Sequence, residues 1–410
     1  MEFEIFELSN GLRVVHKQVS RPVAHCGLFV AAGSRDELEH EQGLAHFIEH
    51  CLFKGTQRRK AYHVLSRMED VGGELNAYTT KEETVIYSSF LSAYYPRAVE
   101  LLFDIAFHSR FPKKEIEKEK EVIIDEINSY LDSPSEAIFD DFEDQVFKGH
   151  SLGRNILGTI ASVKSFSQEH ILDFIKRNYG FNQMVFSSVG KISASRLKKL
   201  LEKELTALPL LQCHKQQQAP KSYQPSQVTT HRTGYQTHAI VGNQAYRAGS
   251  KKMRVLTLLN NLLGGPGMNS RLNLNIREKY GFTYHLESFY QPYSDTGLFG
   301  IYLGTDPGTV DRVLRLVEKE LAKLRNQKLG VLQLSKAKRQ VLGQIAMAQE
   351  NNNALMLAYG KSLLTYNKID EFEQVHAKIE SITAEDLQGV AQEIFVPEKM
   401  STLIFKSNMP

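Results

Sequence analysis

The chain has 410 residues, of which 42% are hydrophobic and 24% charged, and its formal net charge is +3. This length exceeds what one hydrophobic core usually supports, so we expect at least two domains of ordinary globular composition. Basic and acidic residues are interspersed, which argues against a nucleic-acid-binding protein. No apolar run approaches the roughly 20 residues of a membrane-spanning helix. We therefore expect neither nucleic acid nor a membrane as a partner.

The N-terminus and the cysteines favour a cytoplasmic location. The first residues, MEFEIFELSNGLRVV, lack the basic and apolar regions of a secretory signal. Cys26, Cys51 and Cys213 are scattered and odd in number. They suit a reducing compartment and form neither a disulfide framework nor a thiolate zinc site.

The first half of the chain alternates between strand and helix patterns. Short alternating or apolar runs that meet Gly and Ser predict strands, whereas apolar residues spaced by three and four predict helices. Gly55 is predicted to stop the first helix, and Asp132, Ser133 and Pro134 to end a long charged helix. In order, the predicted elements are strands at 11–19 and 24–34, a helix at 41–55, a hairpin at 72–90, and helices at 93–108 and 113–134.

The second half repeats this order more faintly. Residues 209–227 are rich in Gln, Pro and Ser without a sustained period, which is typical of a linker. The pattern then predicts a strand at 238–245, a helix at 256–265, hairpins at 280–305 and a helix at 310–324. Strand, helix, hairpin and helix in both halves indicate a duplicated α+β unit. We expect domains at 1–208 and 228–410, joined by the linker.

The segment GLAHFIEHCLFKGT contains His46, Glu49 and His50. Residues four apart lie on the same face of a helix, so both imidazoles can point at one metal ion. Glu49 lies three residues from His46 on that same side and can reach a metal-bound water. The order H-x-x-E-H is the inverted form of the zincin signature. The alternative is a pair of ordinary polar surface or helix-capping histidines.

A catalytic zinc usually takes three protein ligands, and the acidic helix at 113–134 offers the third. On a helical wheel, its apolar stripe is bordered on one edge by Glu119 and Glu126, seven residues apart. Glutamates beside a buried face are costly unless they are paired or coordinated. A solvated, charged helix explains the periodicity equally well, so the residues alone leave both interpretations open. The stripe consists of Ile116, Ile123, Ile127 and Leu131.

Four segments together resemble the pitrilysin-like metallopeptidases: GLAHFIEHCLFKGT, GGELNAYTTKEETVIY, EKEKEVIIDEI and GHSLGRNILGT. The chain looks closest to the half-size branch that includes mitochondrial processing peptidase and its bacterial relatives. Glu126 follows His50 by 76 residues, the spacing of the family's third zinc ligand. The resemblance therefore implies one zinc ion per chain, held by His46, His50 and Glu126. It also implies two tandem, similar α/β-roll domains.

The resemblance assigns roles to further residues. Glu49 would be the general base, and Glu119 would support the site without being a standard ligand. Asn76 and Ala77 would lie on an edge strand to which the substrate backbone adds as another strand. Arg277 and Tyr284 match residues that contact the substrate near the scissile bond and can stabilise its oxyanion. The alternatives are that Asn76 is a simple hairpin residue, that Arg277 merely ends a helix and that Tyr284 packs in a core.

The expected function is a zinc-dependent metalloendopeptidase that cleaves extended peptides or unfolded segments. Since this half-size chain carries both motif sets, the expected assembly is a homodimer whose active sites are completed across the interface. Two alternatives remain open. The chain could need a separate half-size partner, or it could be a non-hydrolytic peptide-binding or structural subunit of the same family.

Overall fold

The structure is a computed structural model that describes residues 3–206, 208, 211–215, 217–221 and 223–408. Its strands form where short, largely buried β-branched and aromatic runs occur, as the sequence pattern predicts. Eleven strands lie within the described residues: β1 (Glu4–Glu7), β2 (Arg13–Gln18), β3 (Val23–Val30), β4 (Glu74–Thr79), β5 (Thr84–Leu91), β6 (Met184–Gly190), β7 (Gln227–Arg232), β8 (Thr237–Ala245), β9 (Thr283–Pro292), β10 (Gly297–Thr305) and β11 (Ser401–Ser407).

Most of the helices are amphipathic and bury one face. The α-helices within the described residues are α1 (Leu44–Leu52), α2 (Ala61–Glu69), α3 (Tyr95–His108), α4 (Lys113–Leu131), α5 (Pro134–Val146), α6 (Ile160–Ser165), α7 (Gln168–Asn178), α8 (Ala194–Leu205), α9 (Met253–Gly264), α10 (Val310–Asn326), α11 (Val331–Gln349), α12 (Asn352–Tyr366), α13 (Phe372–Glu380) and α14 (Ala384–Ile394). A π-helical turn covers Asn273–Glu278. Among the described helices, none is both long and apolar enough to cross a membrane.

The chain forms two compact units, and both are discontinuous in sequence. The first unit comprises Met1–Asn128, Arg154–Gln218 and Met347–Ile369; the second comprises Ser129–Gly153, Ala219–Ala346 and Asp370–Pro410. Strands β1–β6 and β7–β11 follow the two halves of the sequence, whereas α5 and α12 each belong to the unit built mainly from the other half. The domain boundaries at 1–208 and 228–410 stay a prediction.

Each unit contains one mixed sheet, and the two sheets share a strand order except for β1, which is an additional edge strand of the first. The first is β1-β2-β6-β3-β5-β4, and the second is β7-β11-β8-β10-β9. In the first, β2 and β6 are parallel and all other neighbours antiparallel. In the second, the matching pair β7 and β11 is again parallel. The structure thus confirms a two-domain α+β fold in which one plan occurs twice.

Both faces of each sheet are covered. In the first unit, the main core lies between the sheet and the helices that follow its strands. The opposite face packs against α12, where Gly360 lies so close to the Phe29 ring that a Cβ would approach it to 2.3 Å. In the second unit, the main core lies on one face and α5 packs on the other. Two covered faces explain why β3 and β10 are apolar runs rather than alternating patterns.

Most predicted elements are confirmed within a few residues. The predicted helix at 41–55 is α1, the hairpin at 72–90 is β4 and β5, and the helix at 113–134 is α4. Along α4, Ile116, Ile123 and Ile127 are buried as expected, but Leu131 at its end is 58% exposed. Of the predicted linker, residues 209, 210, 216 and 222 lie outside the described residues, and β7 begins at its last residue, Gln227.

Candidate metal centre

Helix α1 positions the H-x-x-E-H residues, and a buried carboxylate anchors its start. Gly43, with φ +92°, precedes the helix, and a Cβ there would lie 2.5 Å from the Leu157 carbonyl oxygen. The Glu37 carboxylate accepts hydrogen bonds from the backbone N–H groups of Gly43 (3.0 Å) and Ala45 (2.8 Å). The carboxyl oxygens of Glu37 thus satisfy N–H donors at the start of the helix, where no intrahelical partner is available.

Two side chains of α1 and one of α4 converge at one point. Among the described residues, His46, His50 and Glu126 offer ligand atoms that all lie within 4.8 Å of one another. His46 Nε2 lies 3.9 Å from Glu126 Oε1, and His50 Nε2 lies 3.6 Å from Glu126 Oε2. These separations exceed hydrogen-bond lengths. They approach the ligand–ligand distance of about 3.3 Å that tetrahedral zinc with ~2.0–2.1 Å bonds requires.

The chemistry of these donors fits a metal of the zinc type. Two imidazole nitrogens and one carboxylate oxygen are the ligand set of many catalytic zinc sites. Burial lowers the pKa of His46 to about 4, and the neighbouring His50 adds to this effect. His46 is therefore neutral at pH 7, the form that binds metal. Glu126 is 44% exposed, so the cluster is open to solvent on the side of α4.

Glu119 lies beside the cluster rather than in it. Its carboxylate is 5% exposed, and Oε2 lies 3.3 Å from His50 Nδ1. Its other oxygen forms an ion pair with Lys54 Nζ at 2.7 Å. An acceptor at Nδ1 holds the ring proton there and leaves the Nε2 lone pair facing Glu126. By contrast, His46 Nδ1 is buried and has no hydrogen-bond partner among the described residues.

Glu49 completes the motif on the same side of α1. It is half-buried. Burial raises the pKa of its carboxyl, the Glu126 carboxylate adds to the rise, and Thr79 and His50 oppose it. A carboxylate with a raised pKa is better matched to proton transfer near neutral pH than an ordinary one. The arrangement can therefore combine a metal ion with a proton acceptor.

Asn76 and Ala77 lie on β4, which is the edge strand of the first sheet. They pair with Tyr87 and Ile86 of β5, and no further strand borders β4 among the described residues. Helix α1 packs against β4. The free edge of β4 thus runs beside the helix that carries His46 and His50.

Arg277 and Tyr284 belong to the second unit, whereas the candidate ligands belong to the first. Arg277 lies in the π-helical turn, and its guanidinium donates to Asn273 Oδ1 at 3.2 Å. Tyr284 lies near the start of the outer strand β9, is 63% exposed, and its hydroxyl lies 3.5 Å from Asp306 Oδ1. Both side chains are accessible rather than packed in a core.

Two site residues were missed by the sequence analysis. Glu37 lies in an irregular segment before α1, and no local pattern indicates that it caps this helix. Lys54 stands in the quoted motif four residues after His50, but α1 ends at Leu52, so helical spacing gives it no partner. No local pattern in the sequence therefore predicts its ion pair with Glu119, which lies on a separate helix.

Comparison with known proteins places the chain in a family. The family described as "Insulinase (Peptidase family M16)" matches residues 13–160, and "Peptidase M16 inactive domain" matches residues 165–341. An uncharacterized zinc protease of Bacillus subtilis, YmxG, is 30% identical over 408 residues, covering 99% of each chain. One from Rickettsia felis is 31% identical over 403 residues, covering 98% of this chain and 97% of its own. The chain belongs to peptidase family M16, as a half-size, pitrilysin-like member.

Solved structures share the fold. A Pseudomonas fluorescens protein titled as a peptidase M16 inactive domain superposes with a TM-score of 0.92 at 20% identity, covering 100% of this chain and 99% of that chain. A protease from Helicobacter pylori gives a TM-score of 0.92 at 20% identity, covering 98% and 99%. At this identity the likeness concerns the fold alone.

Proposed function

We propose that the protein is a zinc-dependent metalloendopeptidase that hydrolyses extended peptides or unfolded segments. The observation that carries the proposal is the convergence of His46, His50 and Glu126 beside Glu49, on elements separated by 60 residues of chain or more. The relatives are named uncharacterized zinc proteases, which supports the same conclusion.

The residues of the candidate centre have different roles in the proposed reaction. His46, His50 and Glu126 would hold one ion, and Glu119 would orient the His50 ring. Zinc bound there would polarise the scissile carbonyl and acidify the attacking water. Glu49 accepts the proton of that water and passes it to the leaving amine, so that the amine departs as a neutral group.

Substrate binding follows from the exposed edge of β4. Asn76 and Ala77 offer main-chain groups to a peptide that adds as a further strand, which selects extended rather than folded polypeptide. Arg277 and Tyr284 are the candidate donors to the oxyanion that develops at the scissile carbonyl. Their location in the second unit leads us to propose a homodimer in which one protomer supplies the metal ligands and its partner the Arg/Tyr pair. A cytoplasmic location likewise stays a prediction.

The test of the proposal is a Glu49→Gln variant assayed with a quenched fluorescent peptide. We expect cleavage to fall by about 10²–10⁴-fold, as for loss of a general base. Zinc content should stay at one ion per chain, because Glu49 is not a ligand. Glu69→Gln, which removes an exposed carboxylate at the end of α2, is the matched control and should keep full activity.

The outcome also separates the alternatives. Full activity in Glu49→Gln would contradict the assigned base. Bound zinc without any cleavage by the purified wild-type homodimer would instead favour a chain that needs a different half-size partner, or a peptide-binding protein without turnover.

A further inference from the structure

The second unit contains a cavity, widely open to solvent, that the proposed peptidase function does not use. Its volume is about 640 Å³, within the range of small-molecule sites. It lies on the α5 side of the second sheet. Side chains alternate between the two faces of a strand: Leu286 of β9 points into the main core, whereas His285 and Glu287 on either side of it line the cavity. The lining residues are Ser135, Phe139, Tyr235, Gln236, His238, His285, Glu287 and Tyr302.

A buried polar pair forms the floor of this cavity. His238 is 8% exposed and Tyr302 is 6% exposed, and the Tyr302 hydroxyl lies 2.9 Å from His238 Nδ1. Burial lowers the pKa of His238 and raises the pKa of Tyr302 to about 12, so both are uncharged at neutral pH. The pair therefore adds no charge of its own to the cavity.

Gly304 keeps the space above this pair open. It lies two residues after Tyr302 on β10, so it faces the same side of the sheet. A Cβ at this position would approach Gln236 Oε1 to 3.1 Å, the Tyr302 hydroxyl to 3.5 Å and His238 Nδ1 to 3.6 Å. A methyl group here would fill part of the cavity without removing any polar group.

The remaining walls are aromatic and carry one carboxylate. The Phe139 and His285 rings lie 5.0 Å and 5.5 Å from the Tyr302 ring, measured between centroids. Glu287 is 45% exposed, and its Oε1 lies 3.4 Å from His285 Nε2. Among the described lining residues there is no lysine or arginine, so the cavity offers no cation to an anionic ligand.

This combination selects the class of ligand. Aromatic faces attract cations, and a carboxylate at the rim adds an ion pair. A metal ion is disfavoured, because His238, His285 and Glu287 are not among the described groups whose ligand atoms lie within 4.8 Å of one another. An organic cation remains.

We propose that this cavity binds a guanidinium or ammonium group on a flexible chain, with Glu287 as its counter-ion and the aromatic walls around its stem. The chemistry is that of an arginine or lysine side chain in a peptide, or of a free amine of similar size. The proposal does not depend on peptidase activity, because no group of the metal centre takes part in it.

The experiment measures binding to the full-length protein by calorimetry and by NMR of histidine-labelled protein. N-acetyl-arginine amide represents the side chain in a peptide, and agmatine represents the free amine. N-acetyl-citrulline amide has nearly the same shape without the charge. We expect at least one cation to bind with a Kd below about 1 mM and to shift the imidazole signals of His238 and His285, and citrulline to bind at least tenfold more weakly. Tighter binding of N-acetyl-arginine amide would identify a peptide side chain as the ligand, and tighter binding of agmatine a free amine.

Variants assign the binding to this cavity. Glu287→Gln should weaken binding of the cation at least tenfold, and Gly304→Ala should weaken it several-fold by filling space. Glu380→Gln is the matched control, because its carboxylate has the same charge and a similar exposure of 47% outside the lining. Equal binding of citrulline and arginine, wild-type affinity in Glu287→Gln, or no saturable binding of either cation would overturn the proposal.

Discussion

At the scale of single residues, Lys54 is the least expected member of the candidate metal centre. It contacts no ligand itself, but its ion pair with Glu119 places a positive charge next to a nearly fully buried carboxylate. A buried carboxylate without a partner is costly, so this pair holds Glu119 in the orientation that reaches His50. Lys54 would thus be a positioning residue that acts on the candidate ligand His50 through Glu119.

We predict that Lys54→Met weakens zinc affinity by about 10–100-fold, the usual effect of disturbing a group that orients a ligand. Lys54→Arg should recover most of the loss, since it restores the charge. Competition with a chromophoric chelator measures both. Lys118→Met, which breaks an exposed pair with Glu115 on α4, is the control. An unchanged affinity in Lys54→Met would show that Glu119 is held by other contacts.

A second residue-scale prediction concerns His16 and acid stability. The ring is 1% exposed, and Nε2 lies 2.8 Å from the Ile192 carbonyl oxygen. Burial lowers its pKa, against the opposing effect of backbone hydrogen bonds and Glu4. The folded state therefore binds fewer protons than the unfolded state below about pH 6.5, and stability must fall as the pH falls through this window.

His16→Gln keeps a donor for Ile192 but cannot titrate. Thermal unfolding of the metal-free protein at pH 7 and pH 5 should show a smaller loss of Tm in the variant than in the wild type. Parallel losses in the two proteins would mean that His16 does not contribute to the acid sensitivity.

At the scale of elements, the start of α1 decides where the candidate metal ligands His46 and His50 lie. Gly43 combines a left-handed φ of +92° with close neighbours: backbone atoms of Leu157 and Gly158 lie within 3 Å of the point that a Cβ would occupy. A side chain here must therefore both strain the backbone and displace the neighbouring loop.

We predict that Gly43→Ala lowers the free energy of unfolding by at least about 2 kcal/mol and weakens zinc binding, because the helix that carries two ligands must shift. Gly149→Ala is the matched control: its φ is also positive, at +73°, but a Cβ there meets nothing within 4 Å. That variant should lose only about 1 kcal/mol. Urea unfolding measures the free energy of unfolding of both variants. Equal losses of this free energy would mean that backbone strain alone, and not the displaced loop, accounts for the effect of Gly43→Ala.

At the scale of the whole molecule, the proposed homodimer makes a prediction about mixtures of inactive proteins. Glu49→Gln damages the metal-ligand half of a site and Tyr284→Phe damages the other half. A mixed dimer then contains one site with both changes and one intact site. An equal mixture should regain about a quarter of wild-type activity, since half of the dimers are mixed.

A mixture of Glu49→Gln with Glu126→Gln serves as the control. Both changes lie in the same half of the site, so every site in the mixed dimer is damaged and no activity should return. If the first mixture also stays inactive while tagged copies show subunit exchange, the sites are not shared between protomers.

The sequence by itself predicted the elements and the local part of the candidate site. Helix α1 and the hairpin β4–β5 follow from periodicity, and the spacing of His46 and His50 places them on one face because four residues make about one helical turn. The alternation of patterns also predicted the duplicated α+β plan, which the shared strand order of the two sheets confirms.

Only the tertiary structure decided which distant segments contact one another, and therefore which role each glutamate and each covering helix has. Periodicity treated Glu119 and Glu126 alike, and only the family resemblance separated them; in the structure, Glu126 faces both imidazoles while Glu119 faces His50 from behind and pairs with Lys54. Likewise, α5 and α12 cover sheets built from the opposite half of the sequence. No local pattern records such pairings, because an amphipathic helix specifies that a face is buried but not against which partner.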